Sequence, residues 1–383
     1  MLPEHMLLSY ALLRQIWWVL LGVLLIGFAV MDGFDLGVAG WLPFVARKDE
    51  ERRIVINTIG PVWEGNQVWF ILGGGAIFAA WPYVYAVSFS GFYLAMFAVL
   101  VTLILRPVAM KFRSKFVSPA IRNTWDWILG ICGLLTMTLL GVAVGNALQG
   151  VPFSFDADMR LTYTGGLIDL INPFGVLCGL VSLTMLLMHG AVYLTLKTDG
   201  IIAARARSYG LIAAILTLTL FIAGGFYAHA LQGFHITSNF ALTDPSNPLH
   251  KTVVQQAGAL LMNYHQYPWM ITAPALGMIG ILGAIAGLAC RNGWLAMVAS
   301  GLGVAGIVST AGVSMYPFIL PSSTHPDHSL TVYDASSSQL TLMIMLIAAV
   351  VFVPIVLVYT SWVYKVLWGR VTAQSVAAED QSY

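Results

Sequence analysis

Nine long apolar stretches recur along this chain, and they constrain its fold more than any other feature. A helix needs about 20 apolar residues to cross the hydrocarbon core of a bilayer. Backbone groups inside lipid must satisfy one another, so stretches of this kind fold as helices and not as open sheets. The predicted spans are 16–37, 56–80, 83–105, 125–148, 173–196, 209–231, 269–290, 294–317 and 340–364.

The sequence therefore predicts an all-α polytopic membrane protein, with residues 1–383 forming a single integral membrane domain. Charged residues make up only 9% of the chain, compared with about 25% in soluble domains. A net charge of +1 argues against a nucleic-acid partner. Nine transmembrane helices can divide into two four-helix bundles and one peripheral helix, which is the arrangement we expect.

Basic residues are concentrated in alternate loops, which predicts the orientation. Only Arg14, Arg160 and Lys251, among 18 Lys and Arg residues, fall on the poorer side. Because cytoplasmic loops are enriched in Lys and Arg, the N-terminus is predicted to lie outside and the C-terminus in the cytoplasm. The loops at 46–53 and 106–123 are then cytoplasmic, and the largest outer segment is 232–268.

Two aspartates lie near one end of the first span, in the sequence LLGVLLIGFAVMDGFDLGVAG of residues 20–40. An Asp at the centre of a membrane helix costs roughly 2.5–3.5 kcal/mol on insertion scales. Such residues usually face a protein interior, a water-filled cavity or a proton path. Asp32 and Asp35 are three residues apart and share one helix face, so we expect them to face the same partner. The alternative is that they cap the helix end at the membrane surface.

The second span contains a carboxylate in an irregular setting. Glu64 follows a Gly-Pro pair at residues 60–61, and Asn66 and Gln67 come directly after it. Backbone groups freed near the Gly-Pro pair need partners, which these two amides can supply. A carboxylate in such a setting is a candidate member of a proton relay. The alternative is that Glu64 lies at the cytoplasmic surface.

The sequence offers no metal site of its own. His189 is the only histidine well inside a span, whereas a six-coordinate haem iron needs two axial ligands, usually His with His or Met. No HExxH, CxxC or CxxCH pattern is present. We therefore predict no metal ligands and assign no catalytic residue within this chain.

Several motifs spread over about residues 10–370 together identify a family. They are GFAVMDGFDLG at 27–37, RRIVIN at 52–57, WEGNQVW at 63–69, FAAWP at 78–82, FSGFY at 89–93, RP at 106–107, WDW at 125–127, GN at 145–146, QGVPF at 149–153, YPFILPSS at 316–323 and SSQLTL at 337–342. With these motifs the chain resembles subunit II of the cytochrome bd-type quinol oxidases. The family commonly has Asp at the position of Glu64, and Glu keeps the carboxylate.

The resemblance implies a subunit of a terminal oxidase in the bacterial inner membrane, with nine helices. Such a complex oxidises quinol, reduces dioxygen to water and builds a proton gradient without pumping. Haem b and haem d are implied to belong to a haem-carrying partner, subunit I. Small single-helix accessory subunits are further candidate partners, and subunit II can hold a structural ubiquinone.

The resemblance also suggests roles for particular residues. Glu64, Asp32 and Asp35 are candidates for the proton path, Trp69 is a candidate for oxygen access, and Trp63 is a candidate for quinone contact or for packing. Ordinary packing is the alternative for Trp69. Two other functions stay open at this point, a proton-coupled secondary transporter and a purely structural subunit. The first shares buried carboxylates, although no inverted repeat with paired broken helices is evident.

Overall fold

The computed structural model describes residues 8–239, 241–372, 374 and 376, and in these residues the chain is a helical bundle with three short hairpins. The helices are α1 (Tyr10–Val45), α2 (Asp49–Ile59), α3 (Trp63–Ala80), α4 (Pro82–Gly91), α5 (Tyr93–Arg113), α6 (Pro119–Gln149), α7 (Pro173–Lys197), α8 (Gly200–Ala230), α9 (Met262–Gln266), α10 (Thr272–Ala289), α11 (Gly293–Met315) and α12 (Gln339–Val366).

Eight helices in the described residues are long and apolar enough to cross a membrane, so the predicted count of nine is not confirmed. The difference lies in the second predicted span, which forms the two helices α2 and α3 with a turn at residues 60–62 between them. Helix α3 is not among the eight, since Glu64, Asn66 and Gln67 lower its hydropathy. The third predicted span is also divided, into α4 and α5.

The helices group largely as expected. Helices α1, α3, α5 and α6 pack together, and α7, α8, α10 and α11 form a second group that meets the first along α6 and α1. Helix α12 is peripheral, with Leu342 as its one buried residue. This arrangement agrees with the predicted two four-helix bundles and a peripheral helix.

Helices α1 and α7 cross in close contact at a pair of glycines. A Cβ atom at Gly37 would overlap the carbonyl oxygen of Leu186, and one at Gly190 would lie 2.5 Å from the carbonyl carbon of Gly37. Small residues at a crossing let helix backbones approach closely, which stabilises helix association in membranes. The crossing contributes to the complete burial of residues 32–40 on α1.

Helix α7 begins where the sequence predicts. The side chain of Asn172 accepts a hydrogen bond from the backbone N–H of Gly175, and Pro173 occupies the first helical position. An amide cap satisfies one of the unpaired N–H groups of the first turn, and Pro loses nothing there because its missing N–H would have no helical partner.

Three antiparallel hairpins lie together at the end of the bundle where α1 begins. They are β1 (Phe153–Phe155) with β2 (Leu161–Tyr163), β3 (Gln232–Ile236) with β4 (Val253–Ala257), and β5 (Phe318–Leu320) with β6 (Leu330–Thr331). The N–H of Phe155 donates to Nδ1 of His328, and the N–H of Val253 donates to Asp327. Arg14 donates to the carbonyl oxygens of Leu242 and Asp244. The three hairpins, which follow α6, α8 and α11, therefore share one face, and one of them belongs to the predicted outer segment 232–268.

An ion-pair network joins the loops at the opposite end. Asp126 accepts hydrogen bonds from Arg113 at 2.5 Å and from Arg52 at 2.8 Å, and Arg113 also contacts Asp49 at 2.6 Å. These contacts connect α2 to the end of α5 and to the start of α6. The segments predicted to share the basic side therefore lie together.

Glu51 extends this network to the start of α8. Its carboxylate lies 2.8 Å from the Arg205 guanidinium and accepts from the backbone N–H of Arg47 at 2.7 Å. Burial alone would raise the pKa of Glu51, but the hydrogen bonds from Arg47 and Arg205 have the larger combined effect, and the pKa is lowered. The carboxylate is thus held in its charged form.

Candidate functional site: a buried charge cluster

The two aspartates of α1 lie in the protein interior. Asp32 and Asp35 are both 0% exposed, and both are directed towards the contact of α1 with α3 and α5, as the three-residue spacing predicts. The expectation that they are buried and partnered is confirmed, and the surface-cap alternative is wrong. The expectation that they face the same partner is wrong for their direct contacts, because Arg106 bonds to Asp32 and Asn66 bonds to Asp35.

Asp32 forms an ion pair with an arginine from another helix. Its Oδ1 lies 2.8 Å from a terminal guanidinium nitrogen of Arg106, and the Arg106 side chain is 1% exposed. The same nitrogen is 3.3 Å from the amide oxygen of Gln67, and the guanidinium carbon lies 5.4 Å from the centre of the Trp63 ring. A buried charge is tolerated only when it is paired and hydrogen-bonded, so Arg106 explains how Asp32 can be buried.

The pairing of Arg106 is not evident from the sequence. The hydropathy pattern predicts that Arg106 begins the loop at 106–123, but the structure places it within α5 and wholly inside the bundle. The signal that could have found it is its position after a long apolar run, still seven residues before the helix ends at Arg113. An intramembrane arginine needs an acidic partner, and Asp32 and Asp35 are the carboxylates of the first span.

Asp35 is hydrogen-bonded through an amide instead of an ion pair. Nδ2 of Asn66 donates to Oδ2 of Asp35 at 2.8 Å, and Oδ1 of Asn66 accepts from the Tyr364 hydroxyl at 2.8 Å. Asn66 and Gln67 were predicted to serve backbone groups at the Gly-Pro turn. Their side chains instead contact Asp35 and Arg106, because this side of α3 faces the charged groups of α1 and α5.

Five buried polar atoms of the cluster have no hydrogen-bond partner among the described residues. They are Oδ2 of Asp32, Oδ1 of Asp35, Nε1 of Trp63, and Nε and one terminal nitrogen of Arg106. Buried polar atoms are almost always satisfied by protein or by ordered water. The set contains both acceptors and donors, which are the two kinds of group that an ordered water molecule bridges.

Glu64 lies outside this cluster. It is exposed on the first turn of α3, next to the exposed residues Gly65 and Val68. Asn66 is on the buried side of the same turn. The start of α3 therefore places an exposed carboxylate within one helical turn of the amides that contact the buried carboxylate and arginine.

Trp69 is half-buried against α1. A Cβ atom at Gly27 would lie 2.5 Å from the Trp69 ring, so the indole packs on the α1 backbone at a position that only glycine permits. Trp63 is 5% exposed and belongs to the core that includes Phe34 and Tyr193. Both contacts fit the packing alternatives for these residues.

His189 is buried and hydrogen-bonded through both ring nitrogens. Nδ1 is 2.8 Å from the hydroxyl of Ser300, and Nε2 is 3.0 Å from the carbonyl oxygen of Val30. A haem ligand must offer one nitrogen to the iron. The surroundings of His189 thus do not fit axial ligation.

Comparison with known proteins gives the family. The profile of the family described as "Cytochrome bd terminal oxidase subunit II" matches residues 13–367. A probable cytochrome oxidase subunit 2 of Haemophilus influenzae is 48% identical over 371 residues, which cover 97% of this chain and 98% of that protein. The cytochrome bd-I ubiquinol oxidase subunit 2 of Escherichia coli K12 is 47% identical over 378 residues, which cover 98% of this chain and 100% of the relative.

A solved structure supports the fold. The structure of bd oxidase from Geobacillus thermodenitrificans matches with a TM-score of 0.69 and 18% identity, covering 93% of this chain and 98% of the matched chain. At that identity the match concerns the fold, and the sequence relatives concern the family. The chain is a multi-pass membrane protein that belongs to the cytochrome bd terminal oxidase subunit II family.

Proposed function

We propose that this chain is subunit II of a respiratory oxidase that oxidises ubiquinol and reduces dioxygen to water. The observation that carries the proposal is the nearly full-length similarity to a cytochrome bd-I ubiquinol oxidase subunit 2. It favours this function over a proton-coupled transporter. Quinol protons would leave on the outer side and water-forming protons would come from the cytoplasm, which builds a gradient without a pump.

Haem b and haem d are proposed to reside in subunit I, where they would carry electrons from quinol to oxygen. The contacts of His189 support this division, because both of its ring nitrogens are engaged with protein groups. Small single-helix accessory subunits are proposed as further partners.

The test is a visible spectrum of purified material. The complex isolated through an affinity tag on this chain is expected to contain haem b and haem d and to oxidise ubiquinol. The chain expressed without its partner is expected to carry no stoichiometric haem. A bis-histidine haem spectrum from the chain alone would contradict the proposed division.

The proposed location is the bacterial inner membrane, with the N-terminus outside and the C-terminus in the cytoplasm. The grouping of the loops supports it, because the basic loops meet at one end and the three hairpins at the other.

Cysteine labelling checks the orientation. A membrane-impermeant thiol reagent added to intact spheroplasts is expected to label Thr243→Cys, which lies at the end of the bundle with the three hairpins. It is not expected to label Lys115→Cys, which lies at the opposite end with the basic loops. Both positions are exposed, and the background carries Cys290→Ala because Cys290 is the exposed native cysteine. The reverse labelling pattern would reject the orientation.

The proton path is proposed to begin at Glu64 and to involve Asp32 and Asp35. Glu64 is exposed at the start of α3, on the basic side of the protein. One turn of that helix connects it to Asn66 and Gln67, whose amides contact Asp35 and Arg106. Partnered carboxylates inside membrane proteins commonly mark proton routes. Water molecules or groups of subunit I would carry protons between Glu64 and the cluster.

Trp69 is proposed to line the access route for oxygen, and Trp63 to pack within the charge cluster or to contact a structural ubiquinone. Dioxygen dissolves in the bilayer, so a lateral route between helices needs no polar lining. Trp69→Ala would open space against Gly27 and is expected to change the apparent oxygen affinity at least about twofold, since removing a half-buried aromatic ring opens a gap beside α1. Unchanged affinity and turnover in oxygen-electrode measurements would leave packing as the sole role of Trp69.

A further inference from the structure

Helix α12 packs against the rest of the chain through residues 342–349 and again near Tyr364. Residues 350–359 are all exposed. Near the first end, Leu342 is buried and its carbonyl oxygen accepts from the Trp17 indole. Near the second end, Tyr364 and Leu367 pack against the core that contains Trp63. The middle turns of α12 thus make no buried contact with the described residues.

The second attachment reaches the charge cluster directly. The Tyr364 hydroxyl bonds to Oδ1 of Asn66, and Nδ2 of Asn66 bonds to Oδ2 of Asp35, both at 2.8 Å. Because Oδ1 of Asp35 has no protein partner, the Asn66 amide is the only group among the described residues that hydrogen-bonds this carboxyl. The orientation of that amide therefore decides whether a hydrogen-bond donor or an acceptor faces the Asp35 carboxyl group.

An amide can turn over and exchange its donor and acceptor ends. With Asp35 ionised, the NH₂ group of Asn66 faces the carboxylate and its oxygen accepts from Tyr364. With a proton on Oδ2, the amide oxygen faces the carboxyl group and the NH₂ group donates to Tyr364. A hydroxyl serves both arrangements, since it both donates and accepts. A phenylalanine serves neither.

We propose that Tyr364 is a positioning residue that keeps the Asn66 amide bonded to Asp35 in both protonation states of the carboxyl group. The inference rests on the proposed proton path only in assigning Asp35 a change of protonation. Asp32, Arg106, Tyr193 and Tyr364 are the other ionisable groups, among the described residues, that interact with Asp35. The Tyr364→Phe and Asn66→Leu variants leave Asp32, Arg106 and Tyr193 in place.

The test uses Tyr364→Phe in the assembled complex, with Tyr359→Phe as a matched control. Tyr359 is on the same helix and 63% exposed. The direct measurement is the infrared stretching band of the protonated Asp35 carboxyl during a pH titration, identified as the band that Asp35→Asn removes. Tyr364→Phe is expected to shift that band and displace its titration, whereas Tyr359→Phe leaves both unchanged.

Turnover gives a second measurement. Tyr364→Phe is expected to lower the rate of oxygen reduction by about fivefold, the size expected for one lost hydrogen bond, with haem content unchanged. Asn66→Leu removes both hydrogen bonds, so adding Tyr364→Phe to it is expected to cause no further loss, because both changes act on one chain of contacts.

The outcomes separate the inference from the proposed proton path. A band that is unmoved by Tyr364→Phe, or a complex with no titrating Asp35 band, would overturn the positioning role. A shifted band with unchanged turnover and pH profile would uphold that role and overturn the participation of Asp35 in proton transfer. Fully additive losses of turnover in the double variant would overturn the positioning role, because Tyr364 would then act independently of Asn66.

Discussion

Replacing Arg106 with leucine is expected to cause the largest loss of assembled oxidase. The change leaves the Asp32 carboxylate 0% exposed with its ion-pair partner removed. Breaking a buried pair by removing one member typically costs about 3–5 kcal/mol, which is a large part of the stability of most domains. The measurement is the yield of haem-containing complex and its thermal inactivation midpoint in detergent.

Two companion variants make this result specific. Arg122→Leu breaks an ion pair with Asp49 in which the side chains are 31% and 46% exposed, and pairs of that kind contribute about 0–1 kcal/mol. The double variant Asp32→Leu with Arg106→Leu removes both charges and is expected to recover much of the yield, because apolar replacement of a whole buried pair is often tolerated. If Arg106→Leu behaves like Arg122→Leu, the buried pair does not stabilise the protein.

Neutralising Glu64 is expected to have the largest effect on turnover. Glu64→Gln or Glu64→Leu should slow oxygen reduction at least about tenfold, because a positioned carboxylate contributes strongly to proton transfer. Haem content and the reduction of haem by quinol should be largely unchanged, since the side chain is exposed and leaves no buried group unpaired. Glu64→Asp should retain activity, because it keeps the carboxylate.

Proteoliposomes that report oxygen consumption and proton uptake together provide the decisive measurement. Glu50→Gln is the matched control, since Glu50 is another exposed carboxylate of the basic end, on α2. A fully active and electrogenic Glu64→Leu complex would show that protons arrive elsewhere. It would also favour the alternative in which this chain is a purely structural subunit.

The hydropathy pattern predicts most of the helices correctly because burial in lipid is a local requirement. Each span must supply about 20 apolar residues regardless of its neighbours, and the start of α7 at Pro173 is decided by its own capping residues. The same reasoning overestimated the span at 56–80. There the balance between apolar and polar residues is close, and the Gly-Pro turn ends one helix before Trp63 begins the next.

The sequence by itself determined that the chain is a membrane protein of this family and that Asp32 and Asp35 share a buried helix face. These properties depend on composition, on motifs and on a three-residue spacing. The tertiary structure alone decided the partners of the two carboxylates. Arg106 is far along the chain from Asp32, and Asn66 is far from Asp35, so only the packing of α5 and α3 near α1 brings these side chains within hydrogen-bond distance. The packing of α12 then brings Tyr364 to Asn66.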